Sequence, residues 1–187
     1  MTDRPTTEAV LALLDAERAT LLARVARVPN AMLAQRPAPG RWSVVEVLEH
    51  LARVEGGVTR LLELRGRQLP ASPPADPTVA RLTAERVARL RDRLERMEAP
   101  ERIRPSGTLA PEEALRQLAE ARAALRAAYR AADPAALDGQ THTHPFLGTF
   151  TLATWVEFLA HHEARHADQV EEIAGALASG APGGYGR

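Results

Sequence analysis

The sequence contains no cysteine. It therefore has no disulfide framework, no thiolate metal site and no cysteine nucleophile, and any metal it holds must be bound through nitrogen and oxygen. It also contains no lysine, since all 24 basic residues are arginine. With abundant alanine and proline, that is the bias of a GC-rich genome and names no activity. Net charge is missing too: 24 acidic residues balance the arginines, so no overall field recruits nucleic acid or an anionic membrane, and neither is expected as a partner. No apolar run approaches membrane-spanning length, and the amino end, MTDRPTTEAV, lacks the charged and apolar regions of an export signal. A soluble, cytoplasmic protein is expected. No segment alternates long enough to make a convincing strand, and only three or four residues around Thr149 could try.

What is present is helical periodicity broken by proline. At 187 residues without an internal repeat, one domain with a real core is expected, over residues 1–178, followed by a flexible tail at 179–187. A first helix is expected over residues 7–28, with Leu11, Leu14, Leu21, Leu22 and Val25 at helical spacing. The second has the sharpest start: Ser43 followed three residues later by Glu46 is a capping-box pattern. Val44, Val47, Leu48, Leu51, Val54, Val58 and Leu61 then trace one face, up to an extended linker, LPASPPADP, at residues 69–77. A third helix is expected at 78–97, its other faces rich in arginine and glutamate as on a solvated surface. Pro111 suits the first position of an alanine-rich fourth helix ending near residue 132. A longer connection, opened by Asp133, Pro134 and Gly139, leads to a last helix at 152–178 with Thr151 as its cap. The fold class is an all-α four-helix bundle with long connections.

The last helix carries three histidines in LAHHEARHADQV, residues 159–170. At 100° per residue, Trp155, Leu159, His162, His166, Gln169 and Ile173 share one stripe, whereas Glu157, His161, Arg165, Asp168 and Glu172 fall on a roughly opposed, charged one. His161 is thus expected to face water. His162 and His166, one turn apart, project to the same buried side, the spacing that lets two imidazoles bind one metal ion. Two readings of the pair stand: separate core histidines bonded to carbonyls or carboxylates, or a shared cation that satisfies both rings at once. His50, on the flank of the second helix's apolar stripe, is the candidate third ligand. Its alternative is an ordinary boundary residue paired with Glu46 or Glu49.

Two blocks, RWSVVEVLEHLARVE (41–55) and HPFLGTFTLATWVEFLAHHEARHADQVEEI (144–173), resemble the DinB-like, or YfiT-like, family of helical metal-dependent proteins. The shared pattern is a tryptophan-serine helix start leading to one histidine, a histidine-proline/glycine stretch, a tryptophan helix and an HxxxH…Q ending. The resemblance implies an up-down-down-up bundle with a divalent ion at His50, His162 and His166, and a homodimer. It also implies a range of activities: some relatives are thiol transferases using bacillithiol, mycothiol or glutathione, and one branch isomerises maleylpyruvate.

Three neutral imidazoles leave an ion its full charge and an open position, where a water or a low-molecular-weight thiol becomes a nucleophile. Zinc or nickel is the first expectation. A thiol transferase or hydrolase acting on a small-molecule substrate follows; the alternatives are a non-catalytic metal-binding stress-response protein and a dimeric interaction module. His144, with His142 beside it, is the candidate acid, base or substrate contact, against the plain reading of solvated loop histidines. Gln169 is placed either to orient an imidazole or to cap the buried stripe with a polar end. Trp42 and Trp155 are read as packing residues, and Arg165 as a carboxylate-recognising or solvated side chain.

Overall fold

The computed structural model describes residues 5–69, 81–94 and 98–179. Its four long helices are α1 (Thr7–Val25), α2 (Val44–Arg65), α4 (Pro111–Ala131) and α6 (Leu152–Ser179), with the shorter α3 (Ala84–Arg91) and α5 (Pro134–Gly139) between them. Local chemistry sets most of the starts. The Thr6 hydroxyl accepts from the Ala9 amide, Ser43 and Glu46 form the reciprocal capping box, and the Thr151 hydroxyl accepts from the Thr154 amide at the head of α6. α1 stops at Val25, three residues before the expected end: Pro29 disfavours helical backbone at the residue before it, and the Arg27 and Val28 amides close a tighter turn on Arg24 and Val25.

The direction of each helix follows from its share of two apolar clusters. One gathers the amino-terminal half of α1, the carboxy-terminal halves of α2 and α4, and the start of α6. The other gathers the end of α1, the starts of α2 and α4, and the end of α6. α1 and α6 therefore run one way and α2 and α4 the other, which is the up-down-down-up order. Between the clusters lies a polar layer with one side chain from each helix: Arg18, Glu55, Arg122 and Glu163. Among the described residues no helix is long and apolar enough to cross a membrane.

Two connections depart from expectation. The third helix covers only Ala84–Arg91 of the expected 78–97, of which 78–80 and 95–97 lie outside the described residues. Thr83 caps it, and at its end Asp92 turns extended and accepts the Leu94 amide on its own side chain, an Asx turn that competes with the helix. The connection after α4 holds the short α5, with Asp133 as cap and Pro134 in its first turn. Residues beyond it form an antiparallel hairpin, β1 (Thr141–His144) with β2 (Gly148–Thr151), pairing His142 with Phe150 and Thr143 with Thr149. Only β2 coincides with the short stretch around Thr149. The hairpin is two four-residue strands that would be marginal alone; Phe150 and Leu147 are buried against the core of the bundle, and Gly148, at φ +85°, makes the turn. The linker at residues 69–77 and the tail beyond Ser179 lie almost wholly outside the described residues.

Candidate metal centre

The histidines of the two sequence blocks meet where α2 crosses α6. His50 and His166 are buried, His162 is half-buried, and one ring nitrogen of each lies within 4.8 Å of the other two. The Nε2 atoms of His50 and His166 stand 3.4 and 3.2 Å from Nε2 of His162. Two nitrogens bound tetrahedrally to one zinc ion at its usual bond length are about 3.3 Å apart.

The partners of the opposite ring atoms decide what those three nitrogens can be. His50 Nδ1 lies 2.9 Å from the Ile103 carbonyl oxygen, which can only accept, so the hydrogen is on Nδ1 and Nε2 carries a lone pair. His166 Nδ1 donates in the same way to Gln169 Oε1, at 2.7 Å with the amide oriented to accept. Both rings therefore present acceptors to a common point, where a metal cation or the Nε2–H of a neutral His162 can sit. Burial opposes any added proton that would charge the rings. It holds the His50 pKa down to about 4, against a smaller upward pull from the Ile103 carbonyl. It holds His162 and His166 well below the ordinary histidine value, and the neighbouring imidazoles push both further. His162 Nδ1 is buried without a partner among the described residues, so none of them fixes that ring from its far side. Two imidazoles with fixed tautomers, converging with a third neutral ring that is free to turn its lone pair the same way, are a donor set that suits a divalent transition metal.

The carbonyl that fixes His50 is held by the residue before it in sequence. Glu49, fully buried, accepts from the Ser106 amide at 2.9 Å, from the Ser106 hydroxyl at 3.1 Å and from Arg53 at 2.6 Å. One turn earlier Glu46 binds Arg36 and the Ser43 amide. Gly107, at φ +73°, brings the loop against that pair, where a Cβ would stand 3.2 Å from the carboxylate. Neither glutamate is thus the partner of His50; Glu49 fastens the loop whose backbone serves it, and Glu46 is taken by Arg36 and the Ser43 amide. Sequence reasoning did not reach Ile103, because a backbone carbonyl has no residue signature.

Aromatic rings wall the centre. Trp42 lies 4.9 Å from His50 and stacks at 6.4 Å on His166, while Phe158 stacks at 5.2 Å on His162. Trp155 is buried as expected and donates its indole N–H to the His142 carbonyl, tying the hairpin to α6. Both tryptophans also line the cleft that opens over the histidines. His144 is half-buried on β1, packed 4.9 Å from Phe158 and 5.2 Å from Trp155, and it too lines the cleft. Its Nδ1 accepts from the Phe146 and Leu147 amides at 3.1 and 3.2 Å, which places the hydrogen of the neutral ring on Nε2. Burial lowers its pKa to about 4.

The charged stripe of α6, expected to face water, is only partly in water: Asp168 stays half exposed, but Arg165 is covered and His161 partly so. Arg165 is buried, and its guanidinium donates to the Leu90 and Asp92 carbonyls, the groups left unpaired where α3 ends. His161 is half-buried, with Nδ1 enclosed and unpartnered, and its pKa is lowered by burial. The reason is that α3 packs on α6, giving that helix a second covered side. Periodicity identifies an apolar stripe but does not forbid a neighbour from covering a polar one.

A family model described as the DinB superfamily matches residues 13–170. The uncharacterized protein YuaE of Bacillus subtilis is 26% identical over 142 residues, covering 75% of this chain and 82% of that protein. The crystal structure of TT2238, a four-helix bundle protein, superposes with a TM-score of 0.58 at 29% identity, covering 89% of this chain and 98% of that one. YfiT from Bacillus subtilis, described as a probable metal-dependent hydrolase with an unusual four-helix bundle topology, superposes with a TM-score of 0.59 at 18% identity, covering 95% and 94%.

Proposed function

Because the chain belongs to the DinB superfamily, we propose that it is a metal-dependent hydrolase whose divalent cation, zinc or nickel, is held by His50, His162 and His166. The observation that carries this reading is the convergence of three Nε2 atoms whose far sides are committed to other partners or enclosed. A cation held there supplies Lewis acidity, which makes a water, or a thiol in its place, nucleophilic near neutral pH. The chain's own contribution is orientation. Ile103 and Gln169 hold two imidazoles in the ligating tautomer, and Trp42 and Phe158 hold the rings in plane.

His144 acts as a hydrogen-bond donor to an oxygen of the substrate. Two backbone amides occupy its Nδ1, and its low pKa keeps it neutral, so at neutral pH it offers Nε2–H and is no general base. Thiol S-transfer is the second reading of the same site. The chain has no cysteine, so the thiol must arrive as a co-substrate. That YfiT is described as a probable metal-dependent hydrolase favours water.

The first test is elemental analysis of tag-free protein purified without chelators, beside His166→Ala, each with and without a zinc or nickel refill. About one metal per chain in the wild type, lost in the variant after refilling, supports the site. No metal in the refilled wild type overturns it and leaves a histidine-lined core. Hydrolysis of ester and amide substrates by the loaded protein, unchanged by added thiol, supports the hydrolase; turnover only with added thiol replaces it with the transferase.

A further inference from the structure

The cleft over the histidines encloses about 1840 Å³ as bounded by the described residues, well above the roughly 300–1,000 Å³ of ordinary small-molecule pockets. One face of α2 forms a wall of it, with His50, Arg53, Gly57, Arg60 and Leu64 recurring at helical spacing. By helical rise, Gly57 lies about 10 Å along the axis from His50 and Arg60 about 15 Å.

The glycines in that wall have no role in the fold. Gly56 and Gly57 sit inside a continuous 22-residue helix, where each costs about 1 kcal/mol relative to alanine. Neither has a positive φ, and a Cβ added at either would meet nothing within 4 Å. Gly66 differs, since a Cβ there would stand 3.0 Å from the Ala132 side chain, and Gly107 differs through its φ. Gly56 and Gly57 both line the cleft, so the helix keeps open space beside its backbone where no part of the described chain needs it.

The charge of that space is one-sided. The chain as a whole is neutral, yet seven arginines and three glutamates line the cleft. Each of the three glutamates is already ion-paired: Glu98 with Arg104, Glu120 with Arg116 and Glu172 with Arg93. The side chains of the half-buried Arg41 and of the exposed Arg60 and Arg102 have no hydrogen-bond or ion-pair partner among the described residues. Leu64 and Phe146 are among the few large exposed apolar side chains, and both stand on the lip of the same cleft.

We propose that the cleft binds an elongated organic anion, with its reacting end at the three histidines, its apolar middle over Gly57, and its carboxylate or phosphate held by Arg60. The position of the reacting end rests on the metal-centre reading; the groove along α2 does not. Burial first, then Arg65 and Arg102, lowers the pKa of His142 on the same lining, as a positive field there requires.

The test is calorimetric titration of the zinc-refilled protein with succinate, suberate and sebacate, with a matched series of alkyl phosphates and with neutral decanediol. Sebacate is expected to bind about tenfold or more tightly than succinate, the worth of one charge-assisted hydrogen bond. Arg60→Gln should remove that length preference and leave succinate unchanged. Gly57→Leu should raise the melting temperature, because it replaces a glycine inside a helix, and still weaken sebacate about tenfold. Equal affinity for short and long anions, equal affinity for decanediol, or undiminished sebacate binding by Gly57→Leu overturns the proposal. The stronger of the two series names the anionic group. Zinc content is measured on the same samples. If zinc does not bind, the metal-centre reading falls, and sebacate binding by the metal-free protein, with its dependence on Gly57 and Arg60, still decides the groove.

Discussion

Two polar clusters are buried in this bundle, and they are built on opposite principles. In the central layer, Arg122 donates to Glu55 at 2.8 and 2.5 Å, to Glu163 at 2.5 Å and to the Leu14 carbonyl at 2.8 Å, and Arg18 bridges the same two carboxylates and the Leu118 carbonyl. Donors meet acceptors and two positive charges meet two negative ones, leaving Glu55 Oε2 as the one carboxylate oxygen of the layer without a partner among the described residues. At the histidine centre, two fixed acceptors converge on a third ring that no partner among the described residues fixes. Opposite signs close a site upon itself and make it part of the scaffold, whereas an excess of acceptors leaves a site that a cation can complete.

Breaking the closed cluster should cost the most. Arg122→Ala leaves two buried carboxylates to one guanidinium, so urea denaturation is expected to show a loss of about 3–5 kcal/mol. The histidines lie outside that layer, and the fraction that folds should still take up zinc; loss of zinc from folded protein would show that the two clusters are one.

Acid should next separate them. In the metal-stripped protein the depressed histidines bind fewer protons folded than unfolded, so their contribution is full above about pH 6.5 and is lost as pH falls toward 4. His50 alone, shifted from 6.5 to about 4, is worth on the order of 3 kcal/mol across that window. Glu55, whose pKa burial raises, works in the opposite direction: its protonation favours the folded state as pH falls through its raised value, which offsets part of the histidine loss. Thermal melts of stripped protein from pH 7 to 5 should therefore fall steeply, and bound zinc should flatten the upper part of that slope. A flat profile without metal would mean that the histidines are solvated.

Gln169→Ala removes the group that fixes the His166 tautomer and is expected to weaken zinc about 10- to 100-fold by competition with a chelator, with little effect on the melt of stripped protein. Ser106→Ala is the mildest change. It removes one of the two Ser106 groups bonded to Glu49, so a loss of about 1 kcal/mol is expected, read as faster amide exchange in the loop that carries Ile103.

Much of the scaffold was legible beforehand. The Ser43–Glu46 capping box fixed the start of α2, Pro111 that of α4 and Thr151 that of α6, because caps and prolines act over three or four residues and leave a local mark. His50, His162 and His166 were reached because two share a helical stripe and the third flanks another. Gln169 was anticipated for the same reason. The β1–β2 hairpin was largely missed, since its threonine alternation spans only four residues a side and its stability comes from burial of Phe150 and Leu147. Arg18, Glu55, Arg122 and Glu163 each interrupt an apolar stripe of their own helix, as Arg122 does between Leu118 and Leu125. That was the available sign of the central layer, but one interrupted stripe reads as a helix boundary until three others are set beside it.

The sequence alone determined that the chain is a helical bundle, where its long helices begin, and that three histidines can turn toward one another, because periodicity and capping are encoded within a few residues of where they act. Only the tertiary structure decided that Arg165 is buried beneath α3, that Ile103 and Gln169 leave two histidines with lone pairs facing inward, and that Gly57 opens onto an arginine-rich cleft, in which the side chains of Arg41, Arg60 and Arg102 have no partner among the described residues. Each of these depends on which distant segment packs against a given face, and that is a property of the packed bundle that no single helix carries.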